Sequence, residues 1–149
     1  MDNEQIRAIC LRLPHTVEAV GWGHHLVFWA GDKAIGGKMY ALIHLDAAGT
    51  GVVSFHAGPE HYAELLEMEG IIPAPYMARA HWVTIMRWEV LRSRQWEEEL
   101  RAAHSLVYER LAAKTKAILA LPEKERTARI RERRKALAGK ESSSKRSTK

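Results

Sequence analysis

Lys38-Met39-Tyr40-Ala41-Leu42-Ile43-His44-Leu45 is the most informative run in this chain. Its side chains suit a strand, and a period of two places Met39, Ala41, Ile43 and Leu45 on one side. Lys38, Tyr40, Leu42 and His44 fall on the other. Upstream, His24 to Ala30 is short, aromatic and β-branched, a second strand, and Gly31-Asp32 turns the chain. The strand region after that turn is expected to begin near Lys33, with Gly36-Gly37 making a bulge or tight turn. Downstream, the loop Asp46 to Gly51 leads into a further strand, Val52-Val53-Ser54-Phe55-His56. Three consecutive strands with short connections predict an antiparallel meander.

Helices surround this meander. Glu4 to Leu13 sets Ile6, Ile9, Cys10 and Leu13 on one helical face, with Asp2 or Asn3 as cap and Pro14 as end. Cys10 then belongs to the buried stripe and reads as a core thiol rather than a nucleophile. Gly21-Trp22-Gly23 reads as a turn. Gly58-Pro59 opens a helix to about Glu69 with Tyr62, Leu65, Leu66 and Met68 inward. Ile71 to Tyr76 is extended but holds two prolines, which makes it an edge or a loop. His81 to Met86 is a strand, and Ser93, as cap, starts a helix running to Leu119 along Trp96, Leu100, Ala103, Val107, Leu111 and Ile118. The expected fold is a two-layer α+β domain, helices packed on an antiparallel sheet.

Composition sets the bounds. The chain has 149 residues, 46% hydrophobic and 28% charged, which suits one globular domain and excludes wholesale disorder. No apolar run approaches the ~18 residues of a membrane span. The start, Met1 to Gln5, lacks the features of a secretory signal, so a cytoplasmic protein is expected. The single cysteine excludes an internal disulfide and any Cys-based zinc site.

The net charge of +5 divides unevenly. Residues 1–121 carry 12 Lys and Arg against 14 Asp and Glu, a net of −2, whereas residues 122–149 carry 11 against 4, a net of +7. All eleven Trp, Tyr and Phe residues lie before the boundary, and beyond it the only large apolar side chains are Ile130 and Leu137. Pro122-Glu123-Lys124-Glu125 looks like a helix start, Gly139 a stop, and Ser142 to Lys149 a flexible polar end. Two domains follow: an α+β body over 1–121 and a basic tail over 122–149. Arg126, Arg129, Arg131, Arg133, Arg134 and Lys135 form a cluster that neutralises phosphates without reading bases. The bland alternative is a solvated tail.

Four stretches in order carry a family resemblance: Leu26-Val27-Phe28, Gly37 to Leu42, the helix opened by Gly58-Pro59, and Pro73 to Val83 with its His81-Trp82 entry. Together they resemble the MmcQ/YjbR family over about Glu4 to Leu119. The resemblance implies an α-β-β-β-α-β-β-α architecture, likened to secretion chaperones and called a double wing, with a DNA-binding label and no established catalytic motif. The chain departs from that pattern at His56 and at Ala78-Arg79, where many members carry lysine or an Asn-Lys pair. The basic tail lies outside the resemblance.

Chemistry-bearing groups are sparse. The eight histidines show no helical ligand spacing, although His44 and His56 could face each other across paired strands. Lys38, Tyr40, Arg79, His81 and Trp82 are candidates for an anion or ring-binding surface, with Trp82 also readable as core. Glu97-Glu98-Glu99 reads as a solvated helix face. No nucleophile elbow, Walker loop or dinucleotide fingerprint occurs, so no catalytic constellation, cofactor or metal is expected. The leading expectation is non-sequence-specific nucleic-acid binding through the tail of a monomer. The alternatives are a protein-interaction or chaperone-like module, and a small-molecule or metal site near Arg79 and His81.

Overall fold

The computed structural model describes residues 1–21, 24–46, 51–75 and 77–147, the last seven by their backbone alone. The expected turn at Trp22-Gly23, the loop residues 47–50 and Tyr76 lie outside the described residues. The elements are α1 (Asn3–Leu11), β1 (Thr16–Gly21), β2 (His25–Ala30), β3 (Lys38–His44), β4 (Val53–His56), α2 (Pro59–Leu65), β5 (Ile71–Pro73), β6 (Trp82–Ile85), α3 (Ser93–Glu109), α4 (Ala113–Leu119) and α5 (Glu123–Ser147). The six described strands make one antiparallel sheet, ordered β1-β2-β3-β4-β6-β5. The architecture is two-layer α+β, with α1 and α3 laid across one face of the sheet.

The main core lies between those layers. Ile6 and Cys10 of α1 meet Phe28, Ile43, Phe55 and Ile85 of the sheet, and Trp96 and Leu100 of α3. All eight are 0% exposed. Burying a large apolar side chain contributes roughly 1.5–3 kcal/mol, so Trp96 and Leu100 of α3, with Ile6 of α1, help tie the meander together. Asp2 caps α1, its carboxylate accepting the Gln5 N–H at 2.9 Å. No described helix is long and apolar enough to cross a membrane.

Several local expectations change. β1 is an added edge strand: its residues are half-buried or exposed, and Val20 is 79% exposed, so no clean alternation marks it. His15 delivers the chain into β1 through a left-handed backbone (φ 58°), rare for a non-glycine residue. Lys33–Ile35 is a 3₁₀ turn rather than strand, capped by Asp32, whose carboxylate accepts the Ala34 N–H at 2.9 Å. α2 stops at Leu65, short of Glu69. Ile71–Pro73 proves to be an edge strand, and β6 begins at Trp82 because His81 sits in the left-handed region (φ 61°).

The long helix is broken. It starts one residue after its cap, which is Arg92 rather than Ser93; the Arg92 N–H donates to the Gln95 side chain at 2.8 Å. α3 ends at Glu109, and α4 turns to dock against the Lys33–Ile35 turn. There Thr115 Oγ1 donates to the Ile35 carbonyl at 2.7 Å, and Leu119 packs beside Gly31. These contacts explain the break, since Arg110-Leu111-Ala112 between the two helices contains no proline or glycine. α5 is likewise longer than expected. It passes through Gly139 to Ser147, since one glycine costs a helix only about 1 kcal/mol.

Candidate functional site

α5 meets the body along one edge. Arg126, Ile130 and Arg134 recur at i, i+4 and i+8, and each engages it: Arg126 donates to the Leu121 carbonyl at 3.2 Å, Ile130 packs on Ile35, Leu111 and Leu119, and Arg134 pairs with Asp32. The Asp32 carboxylate is 7% exposed, and its charge and hydrogen bond hold the Arg134 guanidinium above its ordinary value. The tail is therefore one helix anchored to the body. Arg129, Arg131, Arg133 and Lys135 are exposed and form no ion pair among the described residues. At 100° per residue, Arg131 and Lys135 share a stripe with Lys124, while Arg129 and Arg133 share the opposite one with Lys140.

The expected anion surface comes apart. Phe28 pairs with Ala41 but Trp29 pairs with Met39, so Tyr40 is the extra residue of a β-bulge. The bulge rotates Tyr40 into the core, where it is 0% exposed. Its hydroxyl lies 2.9 Å from Thr16 Oγ1 and 3.3 Å from the Cys10 carbonyl. Burial raises the phenol above its ordinary value and pushes the Cys10 thiol up to about 12, so neither supplies a reactive anion. Tyr40→Phe, which deletes this link between α1, β1 and β3, is expected to cost about 1–2 kcal/mol in urea denaturation. A change below about 0.3 kcal/mol would dismiss the hydroxyl as a structural element.

Arg79 is exposed on a 3₁₀ turn, and His81 faces Tyr62 with ring centroids 5.3 Å apart. Trp82 is 3% exposed, but it lies on the sheet face away from α1 and α3, against Val27, Leu42 and Ala74. Trp82 is thus core, as its alternative reading had it, but in a small second core on the face opposite the helices. Lys38 and Trp82 do come together, in a cleft of about 500 Å³ that Arg79 and His81 do not line. Trp29, Met39, His56 and Arg110 complete its main walls. The bulge matters here too, because it turns Met39 to the Trp29 side rather than to the Ala41 side. Sequence reasoning missed Trp29 and Arg110. Trp29 sits in a strand whose outward face is partly buried, and Arg110 reaches the cleft because the helix breaks there.

A second cluster crosses the same sheet face. His25 Nε2 lies 3.1 Å from His44 Nδ1, His44 Nε2 lies 2.7 Å from Ser54 Oγ, and Ser54 Oγ lies 2.7 Å from Thr84 Oγ1. Four adjacent strands thus supply one polar side chain each to a continuous hydrogen-bonded chain. Ser54 and Thr84 are 2% and 0% exposed, so the Ser–His pair is a satisfied buried network rather than an accessible nucleophile. Burial, then the His25 charge, lowers His44 to about 4. His44 therefore faces Ser54 and not His56. His61 bonds Glu99 at 2.8 Å and Glu64 at 3.1 Å, so Glu99 is half-buried and engaged, unlike exposed Glu97 and Glu98. No group of three or more potential His, Cys, Asp or Glu ligands converges among the described residues.

The strand order, the helical layer on one face and the small second core on the other define a class: small two-layer α+β proteins built on an open antiparallel sheet. A solved member of that class is the Deinococcus radiodurans protein DR2400, described with the DUF419 domain. It is similar to this chain at a TM-score of 0.69 and 26% identity, over 82% of this chain and 90% of that one. The YjbR family model matches residues 11–106, and the chain belongs to the YjbR family. No curated protein matches it. α4 and α5 lie beyond residues 11–106, which the family model matches.

Proposed function

We propose that this YjbR-family protein binds nucleic acid without sequence preference, through the cations of α5. The observation that carries the reading is the exposure of Arg129, Arg131, Arg133 and Lys135 on one anchored helix, none paired with a described carboxylate. Their two opposite stripes suit a helix lying in a groove, where the phosphates of both strands flank it. The body, at a net of −2, adds no general attraction. Arg126 and Arg134 serve mainly to hold the helix in place, which divides the basic cluster into four phosphate-facing cations and two anchors.

The test is fluorescence anisotropy of a labelled duplex against the full chain over a range of salt concentrations. The fourfold variant Arg129→Gln, Arg131→Gln, Arg133→Gln and Lys135→Gln keeps the Ile130 and Arg134 anchors, unlike a truncation at residue 121. The log–log salt slope is expected to fall by about 0.9 for each duplex phosphate that is no longer neutralised. The weakening should be the same for unrelated sequences. An unchanged slope in the variant, or no binding by the wild type at low salt, would overturn the proposal.

A further inference from the structure

The cleft beside Trp29 has an apolar floor and a basic rim. Trp29 is half-buried, Met39 lies next to it, and Trp82 closes the inner wall. Lys38 and Arg110, both exposed, stand at its edge, and neither forms an ion pair among the described residues. His56 accepts the Gly58 N–H through Nδ1 at 3.2 Å, so its neutral ring carries the proton on Nε2. Burial, and then the charges of Arg110 and His81, hold His56 below its ordinary value. The Arg110 guanidinium thus stands close enough to act on the neighbouring His56 ring.

The positive character continues around Trp29. The ammonium of Lys33 lies 5.9 Å from the centre of its ring. On the far side Trp29 and Met39 also line a second cleft, of about 510 Å³, which reaches Arg134 of α5. Two carboxylates border that second cleft, and both are already engaged: Asp32 by Arg134 and Glu18 by Arg7 at 2.6 Å. A body that is slightly acidic as a whole therefore presents Lys33, Lys38 and Arg110 around an aromatic floor, in line with the basic helix.

We propose that this cleft is a binding site for a nucleotide unit, its base lying against Trp29 and Met39 and its phosphate held by Lys38 and Arg110. A volume of about 500 Å³ suits a ligand of that size. Stacking on an indole tolerates any base, and two unpaired cations at the rim supply the phosphate's partners. The unit comes either from a free mononucleotide or from an unpaired residue of a strand. In the strand form the proposal rests on the nucleic-acid role of α5, because the backbone would continue towards Arg134.

Nuclear magnetic resonance of the full chain distinguishes these cases through the indole N–H signal of Trp29, assigned by its disappearance in Trp29→Phe. Adenosine monophosphate and a ten-residue single-stranded thymidine oligonucleotide are the probes, with inorganic phosphate as control. A Trp29 shift with either nucleotide probe, absent with phosphate, supports the site. Lys38→Gln with Arg110→Gln, both at exposed positions, should then weaken binding at least about tenfold. A shift with the mononucleotide identifies the free form; a shift with the oligonucleotide alone, abolished in the fourfold α5 variant, identifies the strand form. If neither probe moves Trp29 while duplex binding to α5 persists, the cleft proposal falls and the α5 reading stands. If neither probe moves Trp29 and the duplex does not bind either, both fall.

Discussion

Gly37→Ala is expected to destabilise the fold by about 3 kcal/mol or more, measured as a drop in the urea midpoint at unchanged slope. A Cβ at this position would overlap the carbonyl carbon and oxygen of Gly31 and sit 2.7 Å from the Asp32 carbonyl oxygen. These are backbone atoms and cannot rotate aside. They are fixed by two hydrogen bonds, from Gly31 N–H to the His15 carbonyl at 2.8 Å and from Gly37 N–H to the Asp32 carbonyl at 2.9 Å. Relief would require opening the turn that aligns β2 with β3 and carries Asp32. Gly139→Ala is the matched control: nothing lies within 4 Å of its added methyl group. Helix propensity predicts a gain of up to about 1 kcal/mol there. A Gly37→Ala protein within 1 kcal/mol of wild type would show that the two glycines do not touch as described.

Acid is expected to unfold the protein in the range where histidines titrate, before carboxylates do. Burial is the leading cause that lowers His15, His44, His56 and His104 in the folded chain, and His44 falls from 6.5 to about 4. Below pH 6.5 the unfolded chain takes up protons that these folded histidines refuse. Their stabilisation is therefore complete above about pH 6.5 and is lost as the pH falls below it, for His44 on the way down to about pH 4. For His44 the loss reaches at most about 3 kcal/mol, less after solvent screening is discounted. His61 works the other way. Burial lowers it, but hydrogen bonds and charges from Glu99 and Glu64 outweigh that and raise it, so it adds stability at low pH and partly offsets the rest. Denaturation midpoints of wild type and His44→Gln, measured from pH 7 to pH 4, test this assignment. The variant should show a clearly shallower decline. Identical pH dependence would remove His44 as the main acid-sensitive group.

The legible parts of this fold were those in which side-chain period and burial agree. α1, with Ile6, Ile9 and Cys10 buried, stands as its apolar spacing implied, and so does the main stripe of α3. β1 was not legible because an edge strand half open to water needs no alternation. The bulge at Tyr40 was not legible because an inserted residue leaves the local pattern intact while reversing the face of everything before it. That single residue explains why Met39 belongs with Trp29, and why a tyrosine expected on the surface lies in the core. The cleft was half legible: Lys38 and Trp82 were named, but Arg110 enters only through a helix break set by tertiary packing. Of the basic cluster, composition showed the charge and only the structure separates anchors from free cations.

The Asp32–Arg134 pair joins positions 102 residues apart and crosses from the family-matched region into a helix that lies beyond it. Arg134 stays mostly in water, but Asp32 does not, so the pair is unequal: the helix could lose its partner more cheaply than the body could. The appended helix is in this sense written into the body, through a carboxylate that caps the Ala34 N–H with one oxygen and takes the Arg134 guanidinium on the other. Removing Arg134 would leave a 7% exposed carboxylate without its cation, so the extension is not a free addition to the domain that carries it.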